Sequence, residues 1–395
     1  MEIFAAIAPG LESIAAGEMK ALGIKGSQHP GGVAFDGDNR LLYRANLHLR
    51  TPSRIIVRLG RFHASTFYEL ERRARKIPWQ NFLPAEGLVD IRVTCRKSRL
   101  YHSDAVAERV LSVISGAGSD IELRQAGAEE TEDGEESASE SAAHVQRFVV
   151  RIVDDECEIS ADSSGALLHR RGYRQEVAKA PLRETLAAAM ILASGWRPGE
   201  PLIDPMCGSG TIPIEAAMIA RGIAPGLRRE FQFTQWPSFD AGLWREIVAA
   251  AHDQITTSVS TIRGADRDSG AIEASIHNAQ RAGVAADIEF ASQPLTASLD
   301  AVEDIEIGDG WVLTNPPYGI RVGESGDLRN MYARLGSITA KGWRLGMLTA
   351  DQRLARHAGV PLRSRFDTKN GGIPVSFLAN ERSGKSAATS RASQS

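Results

Sequence analysis

The sequence predicts an α/β fold: a doubly wound, mostly parallel sheet in the C-terminal half, preceded by smaller α+β modules. Two observations lead there. After about residue 180 the chain repeats a strand, a Gly-rich turn and a helix, a rhythm that lays strands in parallel with helices on both faces. Before that point, short strands alternate with helices, and a stretch lacking large apolar residues, 126–144, interrupts them.

In the first half, EIFAAIA reads as a strand. LESIAAGEMKAL follows as a helix, with Leu11, Ile14, Ala15, Met19 and Leu22 on one face and Gly23 as its stop. RIIVRLGRF (54–62) and LVDIRVTCR (88–96) read as strands, HSDAVAERVLSVI (102–114) as a helix, and RFVVRIVDDECEISAD (147–162) as further strand. Within segment 126–144, residues 129–140 hold seven acids and no base, a composition that cannot bury enough surface to fold, so a disordered acidic loop is expected there and a frayed tail over 383–395. The formal charge of -3 hides this asymmetry, because the chain without those seven acids carries +4. Such a balance permits nucleic-acid binding without arguing for it.

In the second half, PLID (201–204) runs into CGSG and the helical TIPIEAAMIAR. IRGAD (262–266) precedes a helix capped by Asp268 or Ser269 and ended by Gly283, and IEFA, WVLTN and WRLGMLTA supply later strands. Ligands in such sheets sit at the carboxyl ends of the strands. The 395-residue length fits two or three domains. The N-terminus lacks a basic-then-apolar leader, and no apolar run reaches membrane-spanning length, so a cytoplasmic location is expected. Cys95, Cys157 and Cys207 stand far apart with no ligand-spaced His, which predicts neither a disulfide framework nor a metal site.

Three strand ends carry the chemistry. Asp204-Pro205-Met206-Cys207-Gly208-Ser209-Gly210-Thr211 is a strand, a glycine turn and a helix start, where backbone can approach a ligand and free N–H groups await. NAD, FAD and nucleotide sites share a GxG after a strand, but this spacing is not GxGxxG and no GK[ST] follows. Asp266, at the next strand end with Arg267 beside it, reads either as a loop or cap acid or as an acceptor for two ribose hydroxyls. Gln293 ends the third strand, in Ala291-Ser292-Gln293-Pro294, where an adenine would border it.

Asn315-Pro316-Pro317-Tyr318 after WVLT is the sharpest signal. Asn-Pro-Pro can simply stop a strand, but it also suits amine methylation. A nucleobase amino nitrogen has its lone pair delocalised into the ring. It attacks a methyl group only when acceptors hold its N–H bonds and favour a tetrahedral nitrogen. Asn315 Oδ1 and the Pro316 carbonyl are such acceptors, and Tyr318 can stack on a base.

These motifs, in this order, resemble class I S-adenosylmethionine-dependent methyltransferases of exocyclic amines. His169-Arg170-Arg171-Gly172-Tyr173-Arg174, Ala180-Pro181-Leu182-Arg183-Glu184-Thr185-Leu186-Ala187, APGLESIAAGEMKALG (8–23), APGLRREFQFTQWPSFDAGLW (224–244) and KNGGIPVSFL (369–378) are similar to the bacterial 23S rRNA guanine-N2 methyltransferase family. The resemblance implies a ferredoxin-like module over 1–60, a THUMP RNA-binding domain over 61–165 and a methyltransferase domain over 166–382. It also implies S-adenosylmethionine bound by Asp204, Pro205, Met206, Cys207, Gly208, Gly210, Thr211, Asp266, Arg267, Gln293 and Asn315, with Glu184 and Thr185 flanking its methionine end. Asn315 and Tyr318 would contact the base, and Arg170, Arg171, Tyr173 and Arg174 would contact RNA. The expected RNA is ribosomal, with tRNA the alternative. A non-catalytic RNA-binding factor that kept the fold is the reading from another class. Where the family has an acidic residue after the third strand, this chain has Ser292-Gln293-Pro294, and Gln293 is the residue left to accept the adenine amino group.

Overall fold

The computed structural model describes residues 1–84, 88–116, 122–125, 145–176, 182–257, 260–305, 310–318 and 325–381. The acidic stretch 126–144 and the tail 383–395 lie outside the described residues.

The first elements are β1 (Glu2–Ala6), α1 (Glu12–Ala21), β2 (Ser27–His29), β3 (Gly32–Asp36), α2 (Asn39–His48) and β4 (Arg54–His63). The strand order β2-β3-β1-β4 is the antiparallel ferredoxin-like arrangement that the sequence resemblance implies. Gly23, at φ 75°, stops α1 as expected, and Asp38 caps α2 by accepting from Leu41 N.

Next come α3 (Phe67–Ala74), β5 (Leu88–Arg96), α4 (Ser103–Ser115), β6 (Glu122–Gln125), β7 (Val145–Val153) and β8 (Glu156–Asp162). The expected division at residue 60 falls inside β4. That strand pairs with β1 on one edge and β8 on the other, so both N-terminal modules share one eight-stranded sheet. The long strand read over 147–162 is a hairpin, turned by Asp154 and Asp155 at φ 51° and 62°. Aspartate tolerates this left-handed region better than most residues, which makes the two-residue turn possible.

The second half holds α5 (Glu184–Ser194), β9 (Leu202–Asp204), α6 (Thr211–Ala220), α7 (Ala241–Asp253), β10 (Ile262–Asp266), α8 (Ser269–Ala282), β11 (Ile288–Ser292) and α9 (Leu295–Asp300). It continues with β12 (Trp311–Thr314), α10 (Ser325–Ser337), β13 (Arg344–Thr349), α11 (Gln352–Ala355), β14 (Arg363–Asn370) and β15 (Ile373–Ala379). The order is β11-β10-β9-β12-β13-β15-β14, parallel through β13, with an antiparallel β14–β15 hairpin closing one edge. From β9 the chain winds outward through β10 and β11, then returns to β12 on the other side of β9. The topological switch point is therefore the β9–β12 boundary.

The two halves share one cluster of buried apolar side chains, from Ile3 to Ala379. Tyr43 stacks on Phe233 at 4.4 Å, Trp236 Nε1 donates to Gln146 Oε1 at 2.6 Å, and Gly226 N donates to Leu47 O at 2.9 Å. Among the described residues no helix is long and apolar enough to cross a membrane.

Candidate active site

Asp204 ends β9, Asp266 ends β10 and Asn315 follows β12, so the three strand ends meet around the switch point. The expected convergence of these residues holds in space.

Between β9 and α6 the backbone makes a tight turn. Cys207 N donates to Ala265 O at 2.8 Å and Gly210 N to Cys207 O at 2.9 Å. Gly208 (φ 53°) and Gly210 (φ 84°) occupy the left-handed region, and a Cβ on Gly210 would come within 3.0 Å of Ser275 Cβ. No side chain caps α6, so its first N–H groups remain available to a ligand. The Cys207 side chain is buried, with Sγ 3.9 Å from Ser275 Oγ, which leaves its backbone as the part that could serve a ligand.

Asp266 is half-buried. Its Oδ2 accepts Gly208 N at 3.0 Å and its Oδ1 accepts Asp268 N at 3.0 Å, while Gln293 N donates to its carbonyl at 2.9 Å. The carboxylate is thus fixed in orientation, and each oxygen keeps a lone pair suited to a ribose hydroxyl. Gln293 is half-buried, while Ser292 and Arg267 are exposed.

Asp204 is 2% exposed, and its Oδ1 accepts Met206 N at 3.2 Å. Burial pushes its carboxyl up to about 7, against the lowering effect of Thr314 and Met206 N–H, and the nearby Asp266 charge pushes the same way as burial. Pro205 is buried and Met206 half-buried, packed on the apolar cluster under β12. Glu184 and Thr185 open α5, both buried. Glu184 Oε2 lies 3.1 Å from Arg174 Nη2, and burial raises its carboxyl to about 7 despite that guanidinium.

At Asn315 the structure departs from the expected arrangement. The Tyr318 hydroxyl donates to Asn315 Oδ1, and the Tyr318 ring is half-buried against the core instead of standing free as a stacking surface. The acceptor proposed for a base amino group is therefore held by Tyr318, and an incoming amine must replace that hydroxyl. Burial raises the Tyr318 phenol, opposed by the side chains of Asn370, on the β14–β15 hairpin, and Asn315. Pro316 is buried and Pro317 exposed, with Tyr332 Oη 3.5 Å from Pro317 O.

Two of the four residues read as RNA contacts are corrected. Arg171 and Tyr173 are 2% and 1% exposed, so neither can touch RNA in this structure. Arg171 Nε lies 3.4 Å from Glu215 Oε1, and Tyr173 Oη donates to the same oxygen at 3.2 Å. A carboxylate on α6 draws them inward because a buried Glu requires compensation. Arg174 is committed to Glu184 and to Leu182 O, and Arg170 is half-buried.

Ser275 and Asn278 on α8 escape the sequence reading. Ser275 Oγ donates to Gly208 O at 2.7 Å and Asn278 Nδ2 to Ser209 O at 3.1 Å, so both brace the glycine turn from below. Their only sequence signal is a place on the helix face of Ile272 and Ala279.

A brace beneath a glycine turn, an uncapped helix start and an oriented carboxylate one strand away together accommodate a charged adenosyl cofactor. With the Asn315-Pro316 turn across the switch point, this sheet defines a class I S-adenosylmethionine-dependent methyltransferase. The comparisons then give the family. The model "UPF0020: RMKL-like, methyltransferase domain" matches residues 171–374, and the model "RlmL ferredoxin-like domain" matches residues 2–56. The chain belongs to the RMKL-like methyltransferase family. It is 34% identical, across 96% of both chains, to a Synechocystis sp. protein named "Putative RNA methyltransferase slr0064". It is also 34% identical to the ribosomal RNA large subunit methyltransferase K/L of Syntrophotalea carbinolica, over 96% of this chain and 53% of that protein, so it spans about half of that relative. SMU.472, crystallised with S-adenosylhomocysteine, superposes with a TM-score of 0.80 at 28% identity, covering 96% of this chain and 97% of that one.

Proposed function

We propose that this methyltransferase modifies RNA in the cytoplasm, at the exocyclic N2 amine of a guanosine, with large-subunit ribosomal RNA as substrate. Asn315 at the switch point carries the reading: its side-chain oxygen and the Pro316 carbonyl are the acceptors that an amino group needs as its nitrogen becomes tetrahedral. The names of the Synechocystis and Syntrophotalea relatives favour RNA, and the N-terminal ferredoxin-like module supplies a second body to hold it.

Bound S-adenosylmethionine supplies an electrophilic methyl group and leaves as a neutral thioether, so no strong general base is required. In this chain Asp266 would hold the ribose hydroxyls, the Gly208–Gly210 turn and the α6 start would receive the methionine portion, and Gln293 would border the adenine. Asn315 accepts an N–H of the amine once Tyr318 has given up its hydrogen bond.

The test is Asn315→Ala, assayed with S-adenosylmethionine and large-subunit rRNA. Turnover should fall on the order of a hundredfold, with S-adenosylhomocysteine affinity within a few-fold of wild type. Near wild-type turnover would reduce Asn315 to a strand terminator. Mass mapping of nucleosides after the wild-type reaction checks the product: N2-methylguanosine in rRNA supports the proposal, whereas product only in tRNA, or only N6-methyladenosine, overturns that part.

A further inference from the structure

With Arg171 and Tyr173 buried, the RNA-holding surface must be sought elsewhere. The loop joining β5 to α4 reads Arg96-Lys97-Ser98-Arg99-Leu100-Tyr101-His102, three cations and two aromatic rings in a single short segment. Arg96, Lys97, Arg99, Tyr101 and His102 are all exposed, Arg99 to 78% and Tyr101 to 69%. The Tyr101 ring lies 4.0 Å from the His102 ring at a 40° tilt.

The loop is built rather than loose. Asp154 N donates to Arg96 O at 3.2 Å, Ser98 Oγ to Arg96 O at 2.8 Å, and Asp155 N to Ser98 Oγ at 3.1 Å. Arg99 N donates to Asp155 Oδ1 at 2.7 Å, Lys97 sits at φ 48°, and Leu100 is buried beneath. The β7–β8 turn therefore fixes the loop backbone while its charged and aromatic tips face outward. Pre-ordering of this kind lowers the entropic cost of binding. Arg151, exposed on β7 beside Thr94, extends the cationic edge. The acids nearby are Asp154, Asp155 and Asp104, with Glu158 on β8 directly across from Arg151. Asp155 serves the loop backbone, with one oxygen 3.9 Å from Arg99 Nε.

Resting on the RNA reading above, we propose that the Arg96–His102 loop is a stacking platform for an unpaired RNA strand. A base stacks on Tyr101, and Arg96, Lys97, Arg99 and Arg151 meet the phosphates on either side. Aromatic faces accept any base and guanidinium or ammonium groups track the backbone, so the platform grips without reading sequence. Its position suits a large substrate. β5 and β7 run parallel, with Leu88 opposite Val145 and Arg96 opposite Val153. Gln146, which meets Trp236 of the catalytic half, thus lies near the far end of the strand, about 23 Å away at ~3.3 Å per residue.

The experiment measures fluorescence anisotropy of a labelled single-stranded oligoribonucleotide, about 12 nucleotides long, across a KCl series. Tyr101→Ala should weaken binding about 5- to 100-fold, while Tyr101→Phe, which keeps the ring, should match wild type. Combining Arg96→Ser, Lys97→Ser and Arg99→Ser should flatten the slope of log Kd against log salt by about 2, near 0.7 for each phosphate no longer neutralised. S-adenosylhomocysteine affinity should not change in any variant, since all four side chains are exposed and remote from the cofactor turn. Wild-type RNA affinity and salt slope in both Tyr101→Ala and the triple variant would overturn the platform. A wild-type protein with no RNA affinity would instead overturn the RNA reading on which the platform depends.

Discussion

Asp266 offers the cleanest measurement of the cofactor site. Its carboxylate accepts from Gly208 N and Asp268 N, both at 3.0 Å, and on the proposed function its remaining lone pairs would receive two ribose hydroxyls. Hydrogen bonds to a charged acceptor contribute about 1.5–3 kcal/mol each. Because the group is half-buried, water replaces part of each lost bond, and the lower end of that range applies. Asp266→Ala should therefore cost about 3 kcal/mol of binding, a loss of about a hundredfold in the S-adenosylhomocysteine Kd. Asp266→Asn keeps one oxygen acceptor and should lose only about tenfold. Titration calorimetry measures both, beside thermal melts that confirm a folded protein. A Kd for Asp266→Ala within about threefold of wild type would show that this carboxylate only pins the glycine turn.

The junction between the halves gives a second expectation. Glu215, 0% exposed, faces the buried Arg171 and Tyr173, with Arg50 3.8 Å away, so Glu215→Ala strands buried cations and should cost about 3–5 kcal/mol in denaturant melts. Adding Arg171→Met should recover part of that loss, and a double variant no more stable than the single one would refute the pairing. The buried acids predict a pH effect. A carboxyl whose native pKa is about 7 stabilises the native state fully only below its unfolded value, and that contribution is lost as pH rises through about 7. Asp204→Asn removes one such group. The melting temperature of the cofactor-free wild type should thus fall more steeply than the variant's between about pH 5 and about pH 8; parallel curves would contradict the burial-raised carboxyl.

What the sequence revealed and what it concealed follow from the range of the interactions. The strand-end positions of Asp204, Asp266 and Asn315 were readable because each motif is local: an apolar run, a turn and a helix start within a few residues. The Asp268 cap and the Gly283 stop of α8 were readable for the same reason. The burial of Arg171 and Tyr173 was not, because Glu215 lies more than 40 positions away and only the packing of α6 brings it near. The brace from Ser275 and Asn278 to the glycine turn is likewise an interaction between distant segments. The shared N-terminal sheet was hidden because β4 belongs to two modules at once, and a strand's partners on its two edges leave no mark in its own alternation.

The continuous core and the ion-paired junction have a consequence for selectivity. Tyr43 on Phe233, Trp236 on Gln146 and Arg50 on Glu215 tie the halves at several separate points, so the distance from the outer end of the N-terminal sheet to the switch point is set by packed side chains and not by a hinge. A bound polymer then meets the protein as a caliper. On the proposed function, a nucleotide would reach Asn315 only when the RNA's own fold spans that fixed gap, and one in the right local sequence but on the wrong architecture would be passed over.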